Sequence, residues 1–468
     1  MKRTALTPAL IVSLLISVVA VVNAPSSSSL MPPAPPAMEW DASYGENAGL
    51  SAYRVIQTSD SGYAIAGRQG VHTILPSVWL VKTDATGKME WNQTYDYLLN
   101  AAGLVQTSDG GYMIAGDGYT TKEDYWGIAY PQGIMLVKTD QYGDAQWKKT
   151  LTSTKDGSSY MIQTNDGGYI IAGSVDKGSF LIKTDASGRI QWNETYGEQD
   201  KNNSFSYVIQ TIDGGYAAAG TTNFNDTNAF WLVKTDGYGN VMWGQTYGSG
   251  DNQANSVVQT ANGGYVLAGN TFTYGAGASD AWLVKTDSHG NIIWNQTYGG
   301  AGLVTLHSGA GDAVVGSDGT GYDFAYSLIQ TSDGGLAFAG ETFMPNNYAL
   351  AWLVKTDSSG NVEWNQTYPN RQMGGGGWST NCLIETSDGG FALAGRWEFS
   401  DSVNYYYLVK TEPALPPPTP TPTPPGSSST SPNFFEVIVI VIIAVGVVVV
   451  FTSLIFYFKK CRHQAESN

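Results

Sequence analysis

One six-residue phrase is repeated along this chain, and it constrains the fold more than any other feature. Residues 90–95 and 363–368 both read EWNQTY, residues 293–298 read IWNQTY, and residues 191–196 read QWNETY. The phrase ends a longer unit that contains an Asp-Gly-Gly type turn. This turn occurs seven times, mostly at intervals of about fifty residues. A period of this length is typical of solenoids and propellers.

Each repeat predicts four strands. Apolar residues of the VIQT type lead into the Asp-Gly-Gly turn, which is a strong hairpin signal, and a strand of the YAIAG type follows. A third strand of the WLVKT type is joined to the repeated phrase by an Asp-x-x-Gly turn, where glycine can take a positive φ. A four-stranded antiparallel sheet repeated radially is a propeller blade. The sequence therefore predicts an all-β, seven-bladed β-propeller.

The last repeat lacks its own fourth strand. Its third strand, residues 405–411, runs directly into a proline-rich segment. Residues 39–45, EWDASYG, match the repeated phrase and precede the first full repeat. We expect this N-terminal strand to complete the last blade and to close the ring over residues 39–412, because closure removes an open sheet edge. The Trp and Tyr of each phrase are expected to pack between neighbouring blades.

A lysine recurs in every third strand. The seven are Lys82, Lys138, Lys183, Lys234, Lys285, Lys355 and Lys410. Because all blades share this residue, we predict a structural role, in which the stem covers the tryptophan and the ammonium pairs with a nearby aspartate.

The N-terminus predicts export. Residues 1–24 have a basic start, an apolar core and a small-residue cleavage site, as in a secretory signal peptide. The alternative is an uncleaved anchor, although the apolar run is short for a membrane span. A Pro/Ser-rich linker, residues 25–38, follows.

The C-terminus predicts a membrane anchor. Residues 437–458 are an uninterrupted apolar run, long enough for one transmembrane helix. Residues 413–436 are rich in Pro, Thr and Ser and predict an extended stalk. The tail, residues 459–468, begins with two lysines, which places it in the cytoplasm. The chain is therefore expected to be a single-pass type I protein of the cell membrane, with its propeller outside the cell.

Charge and cysteine content limit the partners. The formal net charge is −16, which argues against binding nucleic acid or an anionic membrane surface through net charge. Cys382 and Cys461 are expected on opposite sides of the membrane, so no disulfide framework is predicted. The histidines show no metal-ligand spacing, and each Asp-Gly-Gly turn offers only one carboxylate. We predict no metal site and no bound cofactor.

The run KTDATGKMEWNQTY, residues 82–95, resembles the tryptophan-docking repeat of quinoprotein-like propellers. The docking position is occupied by Trp40, Trp91, Trp147, Trp192, Trp243, Trp294 and Trp364. As a whole the chain is similar to repeat propellers on prokaryotic, especially archaeal, cell surfaces. The resemblance implies the fold but no activity, since one fold hosts many functions. Quinoprotein dehydrogenases need a cofactor pocket and sometimes a vicinal Cys pair. No such pair occurs in this sequence, so no catalytic residue is carried over.

The repeats define two faces. We call the face with the Asp-Gly-Gly and Asp-x-x-Gly turns the turn face, and the opposite face, with the loops between second and third strands, the loop face. The turns are nearly alike in every copy, whereas the loops differ, and residues 301–322 form a long insertion there. Varied loops on a rigid scaffold favour binding. The stalk begins at the turn face, so the loop face should point away from the membrane.

One position on the loop face carries charge. It follows the Ala-Gly of each second strand and is occupied by Arg68, Asp117, Ser174, Thr221, Asn270, Glu341 and Arg396. Because blade 7 should abut blade 1, we expect Arg68 and Arg396 to be neighbours, flanked by Asp117 and Glu341, with Arg54 close by. One interpretation is a carboxylate pocket, for example for an acidic sugar. The other is two surface ion pairs, Arg68 with Asp117 and Arg396 with Glu341.

Aromatic residues and glycosylation sequons are further candidates. Trp126, Trp378 and Trp397 could stack on sugars, or the loops could simply pack on their own blades. Asn-x-Ser/Thr sequons begin at Asn92, Asn193, Asn202, Asn225, Asn295 and Asn365. On an exported domain these asparagines are candidate glycan acceptors.

These features favour a non-catalytic binding, adhesion or structural module for a glycan or a surface protein. The alternative is a polysaccharide-active enzyme, a glycoside hydrolase or lyase, which needs two carboxylates near the central channel. Asp117, Glu341 and Asp312 are candidates for that pair, although no motif selects them. A redox quinoprotein is a third interpretation. The sequence leaves the oligomeric state open.

Overall fold

The computed structural model describes fifteen segments of the chain. They are residues 33–47, 49–70, 76–118, 133–152, 157–175, 178–198, 201–224, 226–276, 278–299, 304–308, 311–315, 321–343, 349–368, 377–400 and 403–414. All of them belong to a first compact unit, residues 1–416, and a second unit, residues 417–468, lies outside the described residues. The predicted signal peptide, most of the stalk, the transmembrane helix and the tail also lie outside them. Within these segments, no helix has the length and apolar character needed to cross a membrane.

The first half of the chain forms an N-terminal strand and three blades. The N-terminal strand is β1 (Met38–Asn47). Blade 1 contains β2 (Ser51–Gln57), β3 (Tyr63–Gln69), β4 (Ser77–Thr83) and β5 (Met89–Tyr95). Blade 2 contains β6 (Gly103–Gln106), β7 (Tyr112–Asp117), β8 (Ile134–Thr139) and β9 (Ala145–Thr150). Blade 3 contains β10 (Gly157–Gln163), β11 (Tyr169–Val175), β12 (Gly178–Thr184) and β13 (Ile190–Tyr196).

The second half forms four further blades. Blade 4 contains β14 (Asn203–Gln210), β15 (Tyr216–Phe224), β16 (Thr227–Thr235) and β17 (Val241–Tyr247). Blade 5 contains β18 (Asn252–Gln259), β19 (Tyr265–Thr271), β20 (Asp280–Thr286) and β21 (Ile292–Tyr298). A hairpin of β22 (Val304–Ser308) and β23 (Gly311–Val315) lies in the insertion. Blade 6 contains β24 (Asp323–Gln330), β25 (Leu336–Phe343), β26 (Ala349–Thr356) and β27 (Val362–Tyr368). Blade 7 contains β28 (Trp378–Glu385), β29 (Phe391–Ser400) and β30 (Val403–Thr411).

The predicted seven-bladed propeller of four-stranded antiparallel blades is confirmed. Six blades pair their four strands in chain order, so the first strand is innermost and the Trp-containing strand is outermost. In blade 7 the outer strand is β1, which pairs antiparallel with β30 from Trp40 opposite Lys410 to Tyr44 opposite Tyr406.

Burial of both faces of the second strand of a blade explains the apolar runs of the sequence. In β3, Ile65 packs in a core shared with blade 7, whereas Ala64 and Ala66 pack in a core shared with blade 2. Both faces of the strand are therefore buried, which is why the YAIAG segments do not alternate between apolar and polar residues.

The Asp-Gly-Gly turn depends on one side chain and two glycines. The Asp109 carboxylate accepts hydrogen bonds from Thr107 Oγ1 at 2.6 Å and from the Gly111 amide at 3.0 Å. Gly110 has a φ of +84°, which favours glycine. A Cβ on Gly111 would lie 2.8 Å from Lys138 Nζ, so the second glycine makes room for the lysine.

Neighbouring blades are joined by the repeated phrase. In blade 4, a Cβ on Gly290 of the next blade would lie 2.9 Å from the Trp243 ring. The same ring makes an edge contact with Tyr265, with ring centres 5.7 Å apart. Tyr247 completes the joint, because its hydroxyl donates to the Gly290 carbonyl at 2.9 Å. The glycine of each Asp-x-x-Gly turn thus lets the tryptophan of the preceding blade dock on backbone.

The same contacts join β1 to blade 1. Trp40 makes an edge contact with Tyr63, with ring centres 5.6 Å apart, and the Tyr44 hydroxyl donates to the Gly87 carbonyl at 2.6 Å. On the inner side, the Ser387 amide of blade 7 donates to Gln57 Oε1 of blade 1 at 2.9 Å. The contact between blades 7 and 1 therefore repeats the chemistry of the other joints.

The predicted lysine–aspartate pairing is confirmed in six blades. The lysine side chains are 4–10% exposed, and their Nζ atoms lie 2.7–2.9 Å from an Asp-Gly-Gly type carboxylate. The pairs are Lys82–Asp60, Lys138–Asp109, Lys183–Asp166, Lys234–Asp213, Lys355–Asp333 and Lys410–Asp388. Each Nζ also donates to the carbonyl of the residue after the lysine, as at Thr139 in blade 2.

Replacing the docking tryptophan of β1 tests its joint with blade 1. Trp40 and Trp243 are both half-buried, so Trp40→Ala and Trp243→Ala should each lower the free energy of unfolding by about 2–4 kcal/mol. Urea denaturation of both variants measures this. A Trp40→Ala variant as stable as the parent would show that β1 does not dock in solution as Trp243 does.

The lysine–aspartate pairs predict acid sensitivity. Hydrogen bonds from Lys138 and Thr107 lower the pKa of Asp109 to about 2. At Asp60 and Asp166, burial raises the pKa, but lysine and threonine hydrogen bonds outweigh it and the pKa is again about 2. Since the unfolded pKa is higher, this stability is present above about pH 4 and is lost as the pH falls towards 2.

Asp109→Asn isolates one pair. The variant should melt below the parent at pH 5, and the gap should narrow as the pH falls from about 4 to about 2, where the parent carboxylate becomes protonated. Thermal denaturation across this range measures the gap. A constant gap at all pH values would show that the ion pair contributes nothing.

Candidate functional site

The loop face brings the ends of the inner strands together around the channel. In blade 1, a Cβ on Gly67 of β3 would collide with the Ser51 carbonyl of β2, so this position requires glycine. The next residue, Arg68, lies opposite Ser51 at the loop-face end of the blade. A register shift follows in β2 between Ala52 and Arg54, and shifts at the same place occur in the inner strands of blades 3 to 7. Such bulges re-aim side chains, here next to the channel.

A cavity of about 470 Å³ opens on this face between blades 1, 2 and 3. Arg54, Arg68 and Asp117 all line it, together with Asn100 and Ser158. The structure therefore brings three of the predicted site residues into one cavity. The lining is mostly polar, and its charged groups are two guanidiniums and one carboxylate.

Arg54 links blades 1, 2 and 3 through hydrogen bonds of its guanidinium. Its Nε donates to the Ala102 carbonyl of blade 2 at 2.8 Å, and Nη2 donates to the Ser159 carbonyl of blade 3 at 2.7 Å. Nη1 donates to the Tyr53 carbonyl at 2.8 Å. The guanidinium also lies 4.5 Å from the centre of the Tyr160 ring, within range of a cation–π interaction. Within the described residues, no carboxylate lies at ion-pair distance from Arg54.

A tyrosine pair continues this network into blade 4. Tyr160 and Tyr207 stack with ring centres 3.7 Å apart, and the Tyr160 hydroxyl donates to the Tyr207 hydroxyl at 2.7 Å. Burial raises the pKa of both hydroxyls, so both stay protonated at neutral pH. Arg54, Tyr160 and Tyr207 form what we call the channel bridge, which links the inner strands of blades 1 to 4.

Asp117 is held as a positioned carboxylate. It is 7% exposed, and Oδ1 accepts from the Ser158 amide at 2.6 Å and the Ser158 hydroxyl at 2.7 Å. Oδ2 accepts from Asn100 Nδ2 at 2.8 Å. Burial raises the pKa of Asp117, and these hydrogen bonds only partly oppose it. The expected Arg68–Asp117 ion pair does not form among the described residues, because neutral donors occupy both carboxylate oxygens.

Arg68 contributes a positive charge to the lining of the cavity. It is half-buried, and its Nε is buried without a hydrogen-bond partner in the described part of the chain. With Arg54 bonded only to carbonyls and Asp117 bonded to Ser158 and Asn100, the lining carries more positive than negative charge. Such a lining attracts anions.

Arg396 and Glu341 form a second cluster at the joint of blades 6 and 7. Arg396 Nη2 lies 3.2 Å from Glu398 Oε2, so its ion-pair partner is not the expected Glu341. Burial raises the pKa of Glu341 to about 7, although Arg396 and a hydrogen bond from Ser379 lower it in part. Arg396 does not line the cavity that holds Arg68. Asn381 of β28 donates its Nδ2 to the Ala52 carbonyl of β2 at 2.8 Å.

The aromatic candidates differ in exposure. Trp378 is 5% exposed, stacks on Trp397 with ring centres 4.9 Å apart, and makes an edge contact with Tyr407. It is therefore a core residue rather than an open stacking surface, because β28 buries it against blade 6 residues. Trp397 is half-buried and also stacks on Tyr405. Trp126 lies outside the described residues.

The sequons lie mainly on the outer strands. Asn92, Asn193, Asn295 and Asn365 are exposed on β5, β13, β21 and β27. Asn202 is exposed just before β14, and Asn225 lies outside the described residues. Asn92 Oδ1 accepts from Trp79 Nε1 at 3.0 Å, and Asn92 Nδ2 donates to Met89 Sδ at 3.5 Å. The side chain of Asp312 also lies outside the description, and no group of three metal-binding side chains occurs in the described segments.

No single repeat of the sequence indicates the channel bridge. Its signal is the residue that precedes the Val-Ile-Gln type motif, which differs in chemistry from one inner strand to the next. That position is occupied by Arg54, Gly103, Tyr160, Tyr207, Ser256, Ser327 and Cys382.

The solved structures to which this chain is similar share little sequence identity with it. No family model and no curated protein matches this chain. The WD40 domain of Neurospora crassa Pan2 has a TM-score of 0.45 and 10% identity, covering 78% of this chain and 90% of that one. Sqt1 from Chaetomium thermophilum has a TM-score of 0.46 and 10% identity, covering 81% and 100%. A Lactobacillus plantarum protein has a TM-score of 0.43 and 15% identity, covering 75% and 96%.

The raised pKa of Glu341 predicts a pH dependence opposite to that of the turn aspartates. The folded pKa of about 7 exceeds the ordinary 4.5, so this group contributes stability below pH 4.5, and that stability is lost as the pH rises through 7. Glu341→Gln should remove this dependence. Urea denaturation at pH 5 and pH 8 measures it.

Glu194→Gln is the matched control, because Glu194 is exposed on β13 and the change keeps the sequon. The control should follow the parent at both pH values. A Glu341→Gln variant with the parent's pH dependence would show that Glu341 titrates normally.

Proposed function

We propose that this chain is a non-catalytic binding module that takes up an anionic ligand at the loop face. One observation carries the proposal: the cavity contains Arg54 and Arg68 without a carboxylate at ion-pair distance in the described residues. Asp117, the acidic group of the cavity, is bonded to Ser158 and Asn100 instead. A half-buried guanidinium with spare donors favours a carboxylate or similar fork-shaped anion.

The cavity fits a small acidic group on a larger ligand. Its volume of about 470 Å³ is within the usual range of ligand sites. Arg54 is held by hydrogen bonds to three carbonyls and acts as a fixed positive charge, whereas Arg68 Nε has no hydrogen-bond partner in the described residues. The ligand class is therefore an acidic glycan, or an acidic segment of a surface protein.

The proposed setting is the cell surface. The signal peptide, stalk and transmembrane helix predicted from the sequence would place the loop face outward, with the ring closed by β1. The docking of Trp243 on Gly290 supports kinship with tryptophan-docking, quinoprotein-like propellers of prokaryotic surfaces. The exposed sequon asparagines of the outer strands would carry glycans.

A glycoside hydrolase or lyase is the second candidate. Its supporting observation is the pKa of Glu341, about 7, which suits a general acid at neutral pH. The other carboxylate would be Asp117, whose oxygens are occupied by Ser158 and Asn100. Binding is therefore the better supported function.

A glycan array with the purified full-length chain in detergent tests the proposal. We expect binding to acidic glycans that weakens with added salt, and a loss of about tenfold or more in affinity for Arg68→Ala. Arg189→Ala is the matched control, because Arg189 is exposed on the turn face and the change removes the same charge. The control should bind as the parent does.

The outcomes separate the candidates. Equal binding by the Arg68→Ala and Arg189→Ala variants would exclude the cavity as the site. Shortening of a bound polysaccharide, abolished by Glu341→Gln, would favour the enzyme. Binding to a surface protein and to no glycan would keep the cavity but change the ligand class.

A further inference from the structure

Blade 5 departs from the other six blades on the turn face. Its turn carries Asn262 where the others carry aspartate, and Ile293 precedes its docking tryptophan. In blades 1 and 6 the residue at that second position is a glutamate, which lies 2.8 Å from the lysine Nζ. The first change removes a carboxylate oxygen that binds the lysine ammonium elsewhere, whereas blade 4, which has Met242 at the second position, keeps its Lys234–Asp213 pair.

The lysine of blade 5 accordingly takes a different position from the lysines of the other six blades. Lys285 is half-buried, and its Nζ donates to the Ser358 carbonyl of blade 6 at 2.6 Å. It also lies 5.9 Å from the centre of the Trp294 ring. A Cβ on Gly264 would meet the Thr286 carbonyl but not the lysine, whereas the lysine crowds the equivalent glycine of the other six blades. The ammonium has therefore turned from its own blade towards the next one.

A cavity of about 230 Å³ accompanies this change. Lys285, Asn262, Gln330, Thr260 and Ser358 contribute polar groups to its lining. Asn262 Oδ1 already accepts from Thr260 Oγ1 at 2.6 Å, as the aspartate does in the other turns. The ammonium is the charged group of this lining. No carboxylate of the described residues forms an ion pair with it.

We propose that this cavity binds a carboxylate of a compact external ligand, with Lys285 as the counter-ion. In six blades the chain supplies that carboxylate itself at 2.7–2.9 Å, and in blade 5 the ligand supplies it. Ile293, which is 54% exposed, lies on the outer strand beside the docking tryptophan and supplies no oxygen to the lysine ammonium. The site lies on the turn face, so it is independent of the proposed loop-face function.

Competitive lysine acetylation of the purified full-length chain tests the site, with peptide mass spectrometry as the readout. The six ion-paired lysines are internal controls, since a buried, paired ammonium reacts slowly. We expect Lys285 to react about tenfold faster than they do. Glucuronate at about 10 mM should slow the acetylation of Lys285, because a single charge contact has a dissociation constant of about this size. Glucuronate should leave the acetylation rate of the exposed Lys88 unchanged.

Asn262→Asp is the matched variant, because it restores the turn of the other six blades. Its Lys285 should react about as slowly as the six paired lysines, and glucuronate should have no further effect. Galactose, which has no carboxylate, should not protect Lys285 in the parent.

Three results would overturn the proposal. Lys285 could react as slowly as the paired lysines in the parent, which would show that it is inaccessible. Glucuronate could fail to protect it, which would exclude carboxylate binding. Inorganic phosphate could protect it as well as glucuronate does, which would replace the carboxylate assignment with a general anion site.

Discussion

The docking of one tryptophan on the backbone of the next blade is the contact on which this propeller depends. A four-stranded blade cannot bury both of its faces alone, so its stability comes from its neighbours. The Trp243 ring needs the bare Gly290 backbone to approach, and the Tyr247 hydroxyl satisfies the Gly290 carbonyl that the close approach desolvates. The repeated phrase and the turn glycine therefore act together, and together they set the distance between neighbouring blades. Both occur once in each repeat.

The repetition made the fold predictable from sequence, and departures from it made the sites difficult to predict. Strand number, turn positions and the lysine–aspartate pairs follow from residues that recur with the period of the blade. Arg54 could be placed near Arg68 by the same logic. Its three carbonyl partners could not, because they depend on a bulge that re-aims the side chain across blades 2 and 3.

The ion-pair interpretation failed for a related reason. Arg68 and Asp117 follow equivalent glycines in adjacent blades, which suggests a pair of opposite charges. The neighbouring blade offers Ser158, whose amide and hydroxyl both reach the Asp117 carboxylate. Two neutral donors at fixed positions replace a flexible arginine at little entropic cost. Similarly, Trp378 occurs in a variable segment but is buried, because β28 packs it against blade 6.

The channel bridge affects how many copies of a ligand one propeller is expected to bind. A ring of seven alike blades could present a ligand with seven rotated copies of one site, and binding would then be statistical, with orientation undefined. Arg54, Tyr160 and Tyr207 are bulky, whereas the equivalent residues of blades 2, 5 and 6 are Gly103, Ser256 and Ser327. The bridge thus breaks the rotational symmetry of the channel. A ligand at its mouth would meet one orientation, and the expected stoichiometry is one per propeller.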